Sequence, residues 1–116
     1  MNAMSTPSLT KPRQKTCIAW ATQIIGDKWT PMLLFALADQ SHRFGELQVA
    51  VGGINPRTLS ARLDMLEQNG IIARAVHAEV PPRVEYSLTQ MGQDLLPVIQ
   101  GMIDWGDKYQ CDTNSK

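Results

Sequence analysis

A glycine pair, Gly52-Gly53, separates two short amphipathic segments, and the second of these has both of its ends marked. Asn55 is suited to cap a helix because its side-chain oxygen can accept from a free first-turn N–H, and Pro56 suits the first helical position. Gly70 offers the left-handed conformation in which helices often end. At 100° per residue, Leu59, Leu63 and Leu66 share a narrow stripe. Arg57, Ala61 and Asp64 point the other way, with Ser60 at the edge of that outer face. Before the glycines, Phe44, Leu47 and Val51 follow helical spacing over about Arg43 to Ala50. Helix, glycine turn and helix make a helix-turn-helix over about 43–69. The small, polar, Arg-bearing outer first turn of its second helix has the shape and chemistry that a DNA major groove accepts.

The flanking segments complete the expected architecture. Residues 1–15 are polar and form a flexible N-terminal arm, and the domain occupies 16–110. A helix from about Cys17 to Ile25 stops at Gly26. Another starts at about Trp29 or Thr30, with Pro31 in its first turn, and reaches Ala38; it is apolar nearly all round, so the pattern predicts a buried central helix. Asp39-Gln40-Ser41 read as a loop. After Gly70 the period changes: Ile71–Val76 and Arg83–Leu88 are β-rich, and the Ala78–Pro82 connection carries two prolines. This hairpin, about 71–88, is a wing. Thr89 caps a last helix over about 89–109, and 111–116 form a tail. The fold class is mainly α with a small β-hairpin: a winged helix-turn-helix with an additional C-terminal dimerisation helix.

That last helix carries more apolar surface than one contact needs. Leu95, Val98, Met102, Trp105 and Tyr109 alternate in three- and four-residue steps, as in a coiled-coil seam, and Leu96, Ile99 and Ile103 form a second band. One band docks the helix on its own domain; two suggest a partner subunit as well. The expected dimer interface is therefore Leu95, Val98, Ile99, Met102, Trp105 and Tyr109, the competing reading being a wide core face in a monomer. Pro97 forfeits a backbone bond and is expected to kink the helix. Trp29, Trp105, Tyr109 and Phe44 read as core or interface, and Trp20 as core in preference to the wall of a ligand pocket.

Charge bears on the choice of partner. Formal net charge over 116 residues is zero, so no global field draws the chain to nucleic acid, yet five of its six arginines lie between positions 43 and 83. Arg57 is the first candidate for a base-edge contact, with Asn55, Thr58, Ser60 and Ala61 completing the groove surface. Arg62 lies nearer the leucine stripe and suits a phosphate clamp or an intrahelical partner of Glu67. Arg43 is a candidate for a backbone-phosphate contact at the start of the motif's first helix. Arg74, His77 and Arg83, on or beside the wing, are candidates for phosphate or minor-groove contact, a simple solvated hairpin being the competing reading. Asp64 and Glu67 would repel phosphate, which limits the DNA-facing part to the N-terminal half of the helix.

Other chemistries find no support in the pattern. No nucleophile paired with a base, no carboxylate pair in an apolar frame, no phosphate loop and no metal-ligand cluster stands out, so neither an enzyme nor a cofactor nor a metal is expected. His42 and His77 are too poorly accompanied to suggest a metal site. Two cysteines fit a reducing cytosol better than a disulfide framework, and the longest apolar run, Pro31–Ala38, is too short to cross a bilayer. The expected setting is cytoplasmic and nucleoid-associated, with no membrane partner. Cys17, at the first turn of its expected helix and near Lys15, could gain thiolate character from the N–H dipoles. A half-buried small hydrophobe is its other reading. Cys111, just past the last helix, is read as a free thiol in a frayed tail, the alternative being that it faces Cys17 of the other subunit in an oxidised dimer.

Four segments in this order and spacing resemble the HxlR-type family of bacterial winged-helix transcription regulators. They are Cys17 followed by Ile24-Ile25-Gly26-Asp27-Lys28-Trp29; Arg43-Phe44-Gly45-Glu46-Leu47; Ile54-Asn55-Pro56-Arg57-Thr58-Leu59; and Pro81-Pro82-Arg83-Val84-Glu85-Tyr86-Ser87-Leu88-Thr89. The resemblance covers about Cys17 to Gly106. Asp27 stands where the family pattern has a second glycine, Asn55 where it has Ser, and Ile18 where a proline commonly follows the cysteine. The resemblance implies a homodimer that binds double-stranded DNA at a roughly palindromic operator and represses or activates nearby genes. Some members sense oxidants, quinones or aldehydes through a cysteine at this place, which makes Cys17 a candidate redox sensor and a small-molecule effector or electrophile a candidate partner. The rival function is a winged-helix protein–protein interaction module without sequence-specific DNA binding.

Overall fold

The computed structural model describes residues 12–110, so the expected arm before Pro12 and the tail with Cys111 lie outside the described residues. Seven elements follow in order: α1 (Pro12–Ile25), α2 (Thr30–Ala36), α3 (Phe44–Ala50), α4 (Pro56–Gln68), β1 (Ile72–His77), β2 (Arg83–Leu88) and α5 (Gln90–Tyr109). The architecture is the expected winged helix-turn-helix with a long C-terminal helix. α1 begins at Pro12, ahead of the expected start at Cys17, so the last residues assigned to the arm are helical.

The core gathers around α4. Asn55 is extended, and its Oδ1 accepts from the Arg57 amide at 2.8 Å and the Thr58 amide at 3.4 Å. Leu59, Leu63 and Leu66 are buried together with Leu33, Leu34, Leu47, Ile54 and Ile71. Complete burial of each leucine contributes roughly 2 kcal/mol, which anchors α4 by its inner stripe and leaves the outer face free. The α3–α4 turn holds Gly52 at φ +83° and Gly53 at φ +86°, a left-handed pair that side chains would strain. Gln48 clamps the turn: its carbonyl accepts from the Gly53 amide at 2.9 Å, and its Nε2 donates to the Ile54 carbonyl at 3.1 Å.

Asp27 organises the approach to α2. Its Oδ1 accepts from the Trp29 and Thr30 amides, both at 2.8 Å, and its Oδ2 accepts from the Thr30 hydroxyl at 2.6 Å. These bonds start α2. That helix is not buried all round, contrary to expectation: Thr30, Leu33 and Leu34 face the core, whereas Met32 and Phe35 are 42% and 49% exposed. The rear of α2 packs within the domain, and its other flank lines an open apolar groove with Ala50, Ile99 and Ile103. Trp20 is also not core. It is 47% exposed on α1, beside a small hollow bounded by Met91 and Leu95.

β1 and β2 pair antiparallel from Ile72↔Leu88 to His77↔Arg83. A further bridge escaped the sequence reading. His42 and Tyr86 exchange both backbone bonds, at 3.0 and 2.8 Å, and so tie the loop before α3 to the outer edge of β2. Thr89 joins the wing to α5: its hydroxyl donates to the Gly70 carbonyl at 2.6 Å, and its oxygen accepts from the Gly92 amide at 3.2 Å. Gly92 is buried so closely against the Ile71 carbonyl that no Cβ could be added without movement. The radius of gyration is 17.0 Å, against about 13 Å for a compact 100-residue domain. The chain is correspondingly elongated, with extents of 61 × 41 × 23 Å.

Candidate nucleic-acid interface

The outer face of α4 is open as its periodicity predicts. Arg57, Ser60, Ala61 and Asp64 are exposed, and Thr58 is half-buried. Arg57, Thr58, Ala61 and Arg62 border a surface hollow with Asp27 and Trp29. Arg57 makes no ion pair among the described residues, so its guanidinium is available to an incoming acceptor. The helix N-terminus beside it adds partial positive charge, which favours an approaching anion. Asn55 caps α4 as expected, and its side-chain oxygen is occupied by the Arg57 and Thr58 amides. Asp64 lies on the same exposed face, further along the helix, where it would repel a phosphate.

Arg62 has a partner outside its own helix. It does not pair with Glu67; its Nη1 lies 3.2 Å from Asp27 Oδ2, across from the start of α2. Both groups are partly buried, at 31% and 28% side-chain exposure. Burial pushes the Asp27 carboxyl up. The bonds from the Thr30 hydroxyl, the Thr30 and Trp29 amides and the Arg62 guanidinium outweigh it and hold the carboxyl below its ordinary value. Sequence reading noted Asp27 only as a substitute for glycine. A partner 35 positions away leaves no periodic signal.

Lys28 was also missed as a candidate. Its Nζ stands 4.8 Å from the centre of the Trp29 ring, and Trp29 borders the same hollow as Arg57, so a second cation stands near the α4 face. Arg43 is exposed at the start of α3, where its amide donates to Glu46 Oε1 at 2.9 Å. It therefore sits at the N-terminal end of the motif's first helix.

The wing offers less free positive charge than its residues suggested. Arg83 bonds Glu79 at 3.0 Å and Glu85 at 3.2 Å, and His77 lies 3.3 Å from Glu85. Both side chains are thus held by the wing's own carboxylates, because alternate strand residues share a face and the paired strands bring His77 beside Arg83. Arg74 is exposed and makes no ion pair among the described residues, which leaves it the wing's available cation.

The expected interface on α5 divides in two. Val98, Met102, Trp105 and Tyr109 are exposed, with the Trp105 and Tyr109 rings 5.5 Å apart. Ile99, by contrast, is 2% exposed and belongs to the chain's own core, and Leu95 packs half-buried against that core. The seam and the core band therefore overlap at Leu95 and Ile99. Cys17 is exposed, but in the second turn of α1 and not the first. The helix-terminal N–H groups precede it, so the dipole argument for thiolate character loses its basis.

No helix among the described residues is long and apolar enough to cross a membrane. No group of three His, Cys, Asp or Glu side chains among them could hold a metal ion.

Comparison with known proteins places this geometry. Residues 24–114 match the model of the HxlR-like helix-turn-helix family. The chain is 48% identical over 87 residues to YdeP of Bacillus subtilis, an HTH-type transcriptional regulator, covering 75% of this chain and 68% of the relative. It is 41% identical over 98 residues to the HTH-type transcriptional regulator BH0655 of Halalkalibacterium halodurans, covering 84% and 87%. Among solved structures, the redox regulator HypR in its oxidized form superposes with a TM-score of 0.77 at 36% identity, over 82% of this chain and 98% of that one. The reduced transcriptional regulator YodB from B. subtilis superposes with a TM-score of 0.70 at 32% identity, over 86% and 94%. The chain belongs to the HxlR-like helix-turn-helix family of DNA-binding transcription regulators.

Proposed function

We propose that the chain acts as a homodimer, reads a roughly palindromic operator through α4 and regulates transcription of neighbouring genes from the cytoplasm. The observation that carries this is the α4 face: an available Arg57 beside small and polar residues, on a helix fixed to the core by three buried leucines. Dimerisation is supported by the open apolar side of α5 and by an elongated shape that leaves Val98, Met102, Trp105 and Tyr109 exposed in a lone chain. Two copies would present two recognition helices about 34 Å apart, or a multiple of that, along one face of the duplex. Two copies also double the phosphate contacts, which compensates for zero net charge.

We further propose that oxidants or electrophiles modulate DNA binding through Cys17. HypR is a redox regulator, YodB has been examined in reduced and diamide-treated forms, and Cys17 is exposed on α1. The test is fluorescence anisotropy with the protein's own upstream DNA, with stoichiometry read against oligomeric mass. Two chains per site, affinity falling steeply from low to moderate salt, and weaker binding to an isolated half-site are expected. Salt-independent binding, or none in reduced and oxidised protein alike, favours the protein–protein module. Diamide should change affinity in the wild type and not in Cys17→Ser; equal responses would remove Cys17 from the account.

A further inference from the structure

The Asp27–Arg62 pair borders the same surface hollow as Arg57, Thr58 and Ala61, at the flank of the DNA-facing part of α4. We propose that Asp27 and Arg62 are a positioning pair that sets the pose of the recognition helix, so that Arg62 serves DNA binding through α4 and not as a phosphate ligand. This rests on the reading of α4 as the DNA-contacting helix. Asp27 is held by three bonds apart from Arg62: two from the Trp29 and Thr30 amides and one from the Thr30 hydroxyl. Its carboxylate therefore has a fixed place at the start of α2, and Arg62 bonds to the oxygen that also accepts from Thr30. The other ion pairs among the described residues all lie within the wing, so this is the charged tie between α4 and another element. The leucine stripe fixes how deeply α4 sits but tolerates some rotation about its axis. A directional bond at the flank of that stripe opposes such rotation, and rotation is what would move Arg57 off a base edge.

The sign of one substitution separates this from simple electrostatics. Asp27 is a negative charge bordering the same hollow as Arg57. If charge alone mattered, Asp27→Asn would strengthen DNA binding. If position matters, it weakens it. Asn keeps a carbonyl oxygen for the two amides, so α2 can still start. The experiment is anisotropy of wild type, Asp27→Asn, Arg62→Gln, Arg62→Lys and the Asp27→Asn/Arg62→Gln double variant on the upstream DNA across salt, with circular dichroism confirming the fold. Each of Asp27→Asn and Arg62→Gln should weaken specific binding by about 5-fold, the scale of a half-buried ion pair. The double variant should lose about the same 5-fold and not the product, and Arg62→Lys should recover part of it. The salt slope should stay at its wild-type value. Tighter or unchanged binding by Asp27→Asn, or a slope smaller by about one unit in Arg62→Gln, would overturn the proposal, the latter because it marks a lost phosphate contact. If Asp27→Asn does not fold, the slope of Arg62→Gln, which leaves the bonds at the start of α2 intact, decides alone. Absence of salt-dependent binding by the wild type instead refutes the DNA reading on which the pair depends.

Discussion

Replacing Gly92 by alanine sets two physical effects against each other. Gly92 is the third residue of α5, and in a helix alanine is favoured over glycine by about 1 kcal/mol. Propensity alone therefore predicts a more stable protein. The packing predicts the reverse. A Cβ at this position would collide with the Ile71 carbonyl oxygen and would stand 3.0 Å from Leu88 Cδ2 and 3.3 Å from Leu88 Cβ. The Leu88 side chain can yield, but the Ile71 carbonyl is held by the Thr89 amide at 3.0 Å and lies 3.0 Å from the Thr89 hydroxyl. Overpacking against fixed backbone costs about 1–3 kcal/mol, and strain on the Thr89 cap adds to it. The net expectation is destabilisation by about 1–2 kcal/mol, or roughly 4–16 °C in Tm for a domain of this size. Gly45→Ala is the control: Gly45 is helical and exposed, with nothing within 4 Å of its added Cβ, so it should gain up to about 1 kcal/mol. Thermal melts at one protein concentration measure both. An unchanged or raised Tm in Gly92→Ala would refute the claim that α5 is docked through this approach.

Two further predictions concern the core and the site. Leu63→Ala removes a side chain from the middle of the α4 stripe and should cost about 2–5 kcal/mol in urea denaturation, with operator binding lost in proportion to the unfolded fraction. Because the Asp27 carboxyl sits below its ordinary value, the stability it contributes is present above the unfolded-state pKa, about 3.9, and is lost as pH falls through the lower folded value. Melts below pH 4 should therefore fall less steeply in Asp27→Asn than in the wild type; identical acid limbs would contradict the lowered pKa.

What could be read from the sequence depended on whether the physics was local. α4 declares both its ends because a cap, a helix-starting proline and a left-handed glycine are decisions made within a few residues. Thr89 and the β2 strand are legible for the same reason. The start of α1 is not, since Pro12–Lys15 carries no apolar stripe and reads as a solvated arm. α2 misleads in the other direction: nearly continuous apolar residues give no phase, and only the packed fold shows that Met32 and Phe35 are left outside. The His42–Tyr86 bridge and the Asp27–Arg62 pair join positions 44 and 35 apart, beyond any local pattern. The neutralised wing was partly visible, because Arg83 and Glu85 are two apart on one strand and so share a face.

We propose that the N-terminal half of α4 reads bases, with Arg57 as its principal contact. It is tested most directly by measuring the affinity of wild type and Arg57→Ala for the operator and for a panel of single-base variants at fixed salt. Arg57→Ala should lose about 1–3 kcal/mol on the operator, and discrimination should relax at one position in each half-site while the others keep their preference. A uniform loss across the panel, or an unaltered preference at every position, would contradict it.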